Sequence, residues 1–241
     1  MSKIYYITPQ DIEDKETLVN FIYANTTISY YYSDFFDEDF YIKLATAGFI
    51  SVSHTEDDIQ YLIPEMQKEY AVMDFKDIHI SKKVDKLLKK PHLYTFSISN
   101  KIYDVVESIK KYHHDNWIEK DYLNLLYKLQ EYNHNNIDFE LLSCELRDKD
   151  TDILIAGEIG YKINSTYTSL SGFTNKEKKY NNYGKLQMTL LAKYLEENKF
   201  SFWNMGHPYM QYKIDLGAKI LSREDFLMKW LKEVALLNKA L

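Results

Sequence analysis

Three apolar segments in the second half of the chain constrain its fold more than any other feature. They are Phe139–Leu146, Ile153–Tyr161 and Tyr167–Phe173, and polar turns separate them. Short runs rich in β-branched and aromatic residues, bounded by turn residues, indicate strands. A helix beginning at Gly184 and a short buried strand, Phe200–Asn204, follow. Antiparallel strands followed by a strand–helix–strand unit predict an α+β domain with a mixed sheet.

This order of elements suits the acetyltransferase-like (GNAT-type) acyltransferase fold, in which the acyl donor lies where two strands diverge. We expect that domain to occupy residues 76–241. Residues 1–75 are rich in acidic and aromatic side chains and are predicted to form a small N-terminal domain. Within it, a helix over Glu38–Ala47 is predicted to end at Gly48.

Capping residues and periodicity predict the remaining elements. Ser81 is expected to cap a short basic helix that ends before Pro91. Ser222 is expected to cap the last helix, with Asp225 in the capping-box position. The other predictions are a surface turn at Glu56–Asp58, a strand over Leu93–Ser99, and helices over Ile102–Tyr112 and Ile118–Tyr132.

Composition and charge exclude several classes of protein. The chain has 241 residues, 45% of them hydrophobic and 27% charged, which is typical of a globular protein. Cys144 is the one cysteine, so an internal disulfide is impossible and we expect a reducing cytoplasm. No apolar stretch has the roughly 18 residues of a membrane span, and Met1–Gln10 lacks a signal-peptide core. The formal net charge of -6 argues against non-specific binding to DNA.

The histidines and serines do not form a recognisable catalytic or metal-binding pattern. His113 and His114 are adjacent, so their side chains point in different directions, and His134 lies far along the chain. We interpret the histidine pair as a solvated helix end and expect no metal. The Gly-x-Ser-x-Gly, P-loop and paired-histidine zinc motifs do not occur.

The lysine-rich loop before Gly184 leads into the start of a helix, where free N–H groups and the helix dipole attract anions. A phosphate of a cofactor or of a tRNA end could bind there, although a solvated surface loop has the same composition. The acetyl-CoA fingerprint requires Gln or Arg, two residues, Gly, one residue, then Gly or Ala. Only its central glycine is matched in Asn181–Leu186, so we expect no coenzyme A.

The segment Trp203–Pro208 follows the short buried strand and is a candidate site, because loops at strand ends commonly carry function. Asn204 could orient an amine or polarise a carbonyl, and His207 could act as a base. The alternative is a turn in which Asn204 bonds to the backbone and His207 is exposed. Both interpretations stay open at this point.

Five segments resemble, in the same order, motifs of the leucyl/phenylalanyl-tRNA–protein transferases. They are Ala47–Ile50, which resembles Arg-Gly-Ile-Phe; Ile78–Lys82, which resembles His-Ile/Val-Ser-Arg; Asn116–Ile118, which resembles Thr-Trp-Ile; Ala156–Gly160, which resembles Gly-Gly-x-Tyr-Gly; and Leu216–Phe226, which resembles Leu-Gly-Ala-x-x-Ile-Pro-Arg-x-x-Phe. The resemblance extends over residues 40 to 230.

The resemblance implies transfer of Leu or Phe from its tRNA to a protein whose first residue is Lys or Arg, which marks that protein for degradation. The implied partners are aminoacyl-tRNA and a protein or peptide N-terminus, without DNA or membrane, and no cofactor is needed. The predicted donor contacts are Trp117, Leu170, Ser171 and Phe173. The predicted catalytic residues are Asn204 and His207. The predicted tRNA-binding residues are Lys82, Lys83, Lys86, Lys89 and Lys90.

The chain departs from the family at three sites. Ser51–Ser53 replaces Pro-Trp-Phe/Tyr-Ser, so a second pocket tryptophan is absent. Leu170 replaces the glutamate of Gly-Glu-Ser-Met-Phe-Ser, and Asn204 replaces the aspartate of Asp-Cys-Gln. The loss of two carboxylates weakens the case for a cationic acceptor residue. Two alternatives therefore stand beside aminoacyl transfer: a non-catalytic binding module for aminoacyl-tRNA or protein N-termini, and an acyl-CoA-dependent acyltransferase.

Overall fold

The computed structural model describes residues 5–113 and 117–234. His114 of the histidine pair and Asn116 of the Asn-Trp-Ile segment lie outside these residues. Within the described residues, no helix is long and apolar enough to span a membrane.

The described residues form eleven strands and eight α-helices. The strands are β1 (Tyr5–Tyr6), β2 (Tyr31–Tyr32), β3 (Ile50–Glu56), β4 (Ile59–Glu65), β5 (Glu69–Met73), β6 (Tyr94–Ser99), β7 (Phe139–Asp148), β8 (Leu154–Ile163), β9 (Thr166–Thr174), β10 (Phe202–Asn204) and β11 (Lys219–Ser222). The α-helices are α1 (Pro9–Glu13), α2 (Glu38–Thr46), α3 (Lys82–Leu88), α4 (Tyr103–Tyr112), α5 (Lys120–Leu129), α6 (Tyr183–Glu197), α7 (Gln211–Leu216) and α8 (Arg223–Val234).

The chain forms two compact units, each assembled from separate segments. The first consists of Met1–Tyr70, Trp117–Phe139 and Ile220–Leu241. The second consists of Ala71–Asn116 and Glu140–Lys219. The predicted division into independent domains at residues 75 and 76 stays a prediction.

A mixed sheet forms the centre of the second unit. The strands of this sheet that have residues in the second unit include, in spatial order, β5, β10, β9, β8, β7 and β6. Strand β10 pairs parallel with β9 and antiparallel with β5, whereas β8 pairs antiparallel with β9 and β6 with β7. The predicted mixed α+β architecture is confirmed, including the helix between β9 and β10.

Helix α6 contributes to two apolar clusters of the second unit. Leu191 and Leu195 pack with the buried ring of Trp203. Leu186 packs in a second cluster with Val84 of α3. Because a buried apolar side chain contributes roughly 1.5–3 kcal/mol, these contacts fix α6 and α3 against the sheet.

The first unit contains a hairpin that the sequence analysis did not predict. Strands β3 and β4 pair antiparallel from Ile50 with Glu65 to Glu56 with Ile59. Asp57 and its neighbour Asp58 form the predicted turn with φ values of 47° and 63°. Positive φ at both central residues matches the right-handed twist of the flanking strands.

Most predicted boundaries are confirmed to within a few residues. The Ser81 side chain accepts a hydrogen bond from the Val84 N–H at the start of α3. Ser222 bonds with Asp225 at the start of α8. Helix α2 ends before Gly48, whose φ of 95° suits only glycine. One strand was not predicted: β11 lies between α7 and α8, where the sequence analysis predicted only the last helix.

Candidate functional site

Two parallel strands of the second unit, β9 and β10, diverge after a short pairing. Strand β10 pairs with β9 over three residues, and the last pair is Asn204 with Thr168. Strand β9 continues to Thr174 along β8. Backbone groups of β9 beyond Thr168 are therefore free of β10, which opens the sheet at a strand end, where α/β proteins commonly bind ligands.

A β-bulge lies where the strands part. Ile159 of β8 pairs with Ser171, and Gly160 pairs with Ser169, so Leu170 is the extra residue. A bulge bends its strand and re-aims side chains, and bulges are over-represented beside active sites. The predicted donor-contact residue Leu170 thus occupies a special backbone position.

The carboxylate of Glu158 lies beneath the bulge and is 6% exposed. Its Oε1 accepts hydrogen bonds from the Ser169 hydroxyl at 2.7 Å and from the Tyr167 hydroxyl at 3.1 Å. Burial raises the pKa of Glu158, while bonds from Ser169, Tyr167 and Gln187 and the charge of Lys213 act in the opposite direction. A carboxylate whose pKa is raised binds a proton more readily than an ordinary exposed carboxylate.

The hydroxyl of Ser169 connects this carboxylate to the diverging strands. It accepts a hydrogen bond of 2.7 Å from the indole Nε1–H of Trp203. Ser169 is half-buried, whereas Glu158 and Trp203 are buried. Ser169 is therefore the most accessible of the three residues in the hydrogen-bonded series Trp203, Ser169 and Glu158.

Two glycines make room for the carboxylate. A Cβ on Gly160 would lie 2.4 Å from both the Tyr167 hydroxyl oxygen and the Thr168 carbonyl oxygen. A Cβ on Gly172 would lie 2.9 Å from the Cβ of Glu158. Since real Cβ atoms do not approach this closely, a side chain at Gly160 would displace Tyr167 from Glu158.

Lys213 of α7 holds the segment that follows β10. Its ammonium donates to the carbonyl oxygens of Met205 at 2.5 Å and His207 at 2.7 Å. The side chain is 8% exposed, and burial lowers the pKa of Lys213 to about 8, against the opposing effect of Glu158. The same residue thus fixes the loop and places a positive charge near the carboxylate.

The predicted catalytic residues lie at the end of β10 and in the loop after it. Asn204 is 1% exposed, and its Oδ1 accepts a hydrogen bond from the Gly206 N–H at 3.0 Å. Its Nδ2 lies 3.5 Å from Thr168 Oγ1. His207 is half-buried and stacks on Tyr209 with ring centroids 5.4 Å apart. Asn204 bonds to the backbone, as the turn interpretation predicted.

The predicted donor contacts fall in both units. Leu170 and Ser171 are half-buried on β9, and Phe173 is 5% exposed and stacks on Tyr112 at 5.4 Å. Trp117 belongs to the first unit, where its carbonyl accepts a 2.6 Å bond from Ser53. Its ring packs edge-on to Tyr122 at 5.1 Å.

All five lysines predicted to bind tRNA are exposed on α3 or just after it. Lys89 forms an ion pair of 2.6 Å with Asp85. The second lysine-rich segment adjoins the start of α6, and Tyr180 and Val84 share one apolar cluster. The fold therefore brings the two basic segments of the sequence onto neighbouring elements.

The glycine of the partial coenzyme A fingerprint has a packing role. A Cβ on Gly184 would lie 2.3 Å from Oγ1 of Thr174, so the glycine lets α6 approach β9. This close packing explains why a glycine stands at position 184, and no phosphate ligand is needed to explain it. Across the described residues, no three His, Cys, Asp or Glu side chains are grouped so that they could hold a metal ion.

Glu158, Ser169 and Lys213 were not predicted as site residues. Glu158 stands in an apolar strand segment between two glycines, and a charge there requires buried partners. That pattern could have singled out Glu158. Its partners could not have been identified, because Ser169 and Lys213 reach it only through the strand pairing and the loop.

Comparisons with known proteins place the chain in a family. The model of the leucyl/phenylalanyl-tRNA protein transferase family matches residues 72–231. No curated protein matches the sequence.

The solved structures that are similar to this chain include three at low identity. FemX has 13% identity and a TM-score of 0.48, over 90% of this chain and 76% of that one. L-PGS from Bacillus licheniformis has 11% identity and a TM-score of 0.43, over 87% and 73% of the two chains. The C-terminal domain of a putative lysylphosphatidylglycerol synthetase from Agrobacterium fabrum has 13% identity and a TM-score of 0.43, over 81% and 69%.

The family match covers more than half of the chain and includes the sheet, the bulge and the loop after β10. It confirms the resemblance that the sequence motifs indicated. The chain belongs to the leucyl/phenylalanyl-tRNA–protein transferase family, and its class of activity is aminoacyl-tRNA-dependent aminoacyl transfer.

Proposed function

We propose that this protein transfers the aminoacyl group of a charged tRNA to the amine of a protein or peptide N-terminus. The observation that carries the proposal is the opening between β9 and β10, with its bulge and buried carboxylate, inside the region matched by the family model. In this proposal the second unit has the GNAT-type fold, and the opening holds the reacting ester.

Aminoacyl transfer to an amine needs little chemical assistance from the protein. An amine attacks an activated ester readily once the two are held in contact, and positioning alone can contribute about 7–11 kcal/mol. We propose Leu170, Ser171 and Phe173, all on β9, as donor contacts. Asn204 and His207 are proposed to lie near the acceptor amine.

The basic helix α3 is proposed to hold the tRNA. Exposed lysines neutralise phosphates without reading the sequence, and the net charge of -6 makes such a local patch necessary. Its five lysines lie on one short helix and its end, and the second basic segment is close by.

The donated amino acid and the acceptor residue define the finer function. Transfer of Leu or Phe to N-terminal Lys or Arg, as a mark for degradation in the cytoplasm, follows from the family resemblance. Leu170 and Asn204 lack the family's negative charges, so we propose that the acceptor is not limited to cationic N-termini.

A second candidate function is binding without transfer. It is favoured by the same two replacements, and by the hydrogen bond that already occupies Oδ1 of Asn204. Such a protein would bind charged tRNA or a peptide N-terminus and leave the ester intact.

The deciding experiment incubates the purified protein with tRNA charged with labelled amino acids and with peptides that differ in their first residue. The proposal expects label on a peptide, which identifies donor and acceptor together. Charged tRNA that binds but donates no label would support the binding module. Neither binding nor transfer would contradict both functions.

A further inference from the structure

We propose that Glu158, acting through the hydroxyl of Ser169, takes the proton from the attacking amine, in a chain that has Leu170 where the family has a carboxylate. The inference rests on the proposed aminoacyl transfer. Glu158 occupies the variable position of the segment that resembles Gly-Gly-x-Tyr-Gly, so its role does not follow from the family motifs.

The geometry supplies a continuous path for the proton. The Ser169 hydroxyl donates to Glu158 Oε1 at 2.7 Å and accepts from Trp203 Nε1 at 2.7 Å. A hydroxyl oxygen has two lone pairs, so the second can accept a hydrogen bond from an amine. The Trp203 bond fixes the hydroxyl so that its own hydrogen points to Glu158.

The bulge connects this path to the family pattern. Leu170, which replaces the family's glutamate, is the extra residue between Ser169 and Ser171. Glu158 lies on the neighbouring strand, and its carboxylate is bonded to Ser169, the residue directly before Leu170. A carboxylate has therefore been lost from the bulged strand and is present on the strand beside it.

The step balances in atoms and charge. The amine nitrogen bonds to the ester carbonyl carbon, its proton passes to the Ser169 oxygen, and the Ser169 proton passes to Glu158. The ester bond then breaks, and the proton returns along the same path to the departing ribose oxygen. The products are an amide and a free tRNA 3′ end, and Glu158 and Ser169 regain their initial states.

The surrounding groups keep the carboxylate ready for this exchange. Tyr167 of β9 and Gln187 of α6 donate to Glu158, and Lys213 of α7 places a positive charge near it. Burial raises the pKa of Glu158, as it does for the neighbouring thiol of Cys144 and phenol of Tyr212. A base with a pKa nearer the working pH transfers protons more efficiently.

The test measures single-turnover transfer from pre-bound aminoacyl-tRNA to an acceptor peptide. Glu158→Gln and Ser169→Ala should each slow the transfer about a hundredfold. Binding of aminoacyl-tRNA should change less than about twofold, because the path carries protons only during the reaction and its loss affects the transition state more than the bound donor. The double variant should be no slower than the slower single variant, because both changes interrupt one path.

Glu145→Gln is the matched control. Glu145 lies on the adjacent strand β7 and bonds to Arg147, so its amide variant removes a carboxylate of the same sheet and should leave transfer unchanged. If the wild type transfers the aminoacyl group and Glu158→Gln keeps more than half of its rate, the inference is overturned and the proposed function stands. If Glu158→Gln does not fold, full activity of Ser169→Ala overturns it instead. No transfer by the wild type would overturn the proposed function, and this inference with it.

Discussion

Arg223 of the first unit and Glu158 of the second unit are both buried ionisable side chains, and their hydrogen-bond partners differ in kind. Arg223 of the first unit is 2% exposed and donates to the backbone carbonyls of residues 25, 28, 66 and 67. Glu158 of the second unit is 6% exposed and accepts its hydrogen bonds from side chains. One charge is wrapped by main chain and the other by groups that can themselves exchange protons.

The difference separates a structural charge from a chemical one. A guanidinium remains protonated and has five donors in a fixed fork, so Arg223 ties two loops to the start of α8. A carboxylate among hydroxyls can gain and lose a proton without a change of fold. The arginine is part of the family motif that Leu216–Phe226 resembles. Glu158 stands at the variable position of the motif that Ala156–Gly160 resembles. The account therefore predicts that changes at Arg223 alter stability and changes at Glu158 alter the rate of transfer.

Arg223→Met should have the largest effect on stability. It leaves four carbonyls, two of them buried and two partly buried, without the donors of Arg223, and breaking such a network costs about 3–5 kcal/mol. Urea unfolding followed by circular dichroism measures the change in the free energy of unfolding. Arg223→Lys keeps the charge but loses the fork, so it should recover only part of the loss. A cost below about 1 kcal/mol for Arg223→Met would contradict the structural role.

Lys213 should make the stability of the protein depend on pH. Its folded pKa of about 8 lies below the ordinary value of 10.5, so the unfolded chain holds more protons between these values. The penalty for burying the ammonium is complete below pH 8 and disappears as the pH approaches 10.5, which adds roughly 3 kcal/mol of stability. The difference in unfolding free energy between the wild type and Lys213→Met isolates this effect, because the tyrosines titrate in both. Parallel curves for the two proteins would contradict it.

Gly160→Ala should cost about 2 kcal/mol and slow transfer, because the new Cβ meets both the Thr168 carbonyl and the Tyr167 hydroxyl at 2.4 Å. Gly184→Ala is the matched control. Its Cβ meets side-chain atoms of Thr174 and no backbone atom, so the cost should be smaller. Thermal unfolding and single-turnover transfer would be measured on both. Equal costs at the two glycines would show that the Glu158 cluster does not require Gly160.

Replacing Lys82, Lys83 and Lys86 by Glu should weaken tRNA binding about tenfold near 0.1 M salt. It should also flatten the dependence of the binding constant on salt, because fewer phosphate counterions are released. The control changes three exposed lysines elsewhere in the second unit, Lys149, Lys193 and Lys199, so the net charge is the same. Fluorescence titrations at several salt concentrations compare the two variants. Equal binding by both would remove α3 from the proposed interface.

The sequence predicted the architecture of the second unit because its signals are local. Ser81 caps its helix through Val84, three positions away, and the three long strands are separated by short polar turns. The hairpin of β3 and β4 was missed, although its Asp57-Asp58 turn was predicted. Its strands are only partly apolar, and their pairing was hidden within a segment interpreted by composition alone.

The candidate site could be predicted only in part for a related reason. Leu170, Ser171 and Asn204 were identified through family motifs, and they lie at or beside the point where β9 and β10 part. The hydrogen bonds of Glu158 join residues of three elements, and neither helix nor strand periodicity encodes such contacts. The bulge that makes Leu170 special also depends on pairing between strands.

The most direct test of the account restores the missing carboxylate. Leu170→Glu would be introduced into the Glu158→Gln protein, and the rate of single-turnover transfer from aminoacyl-tRNA to an acceptor peptide would be measured. If a carboxylate on β8 does the work of one on the bulged strand β9, the double variant should transfer at least tenfold faster than Glu158→Gln. A double variant as slow as Glu158→Gln, with aminoacyl-tRNA binding intact, would contradict the account.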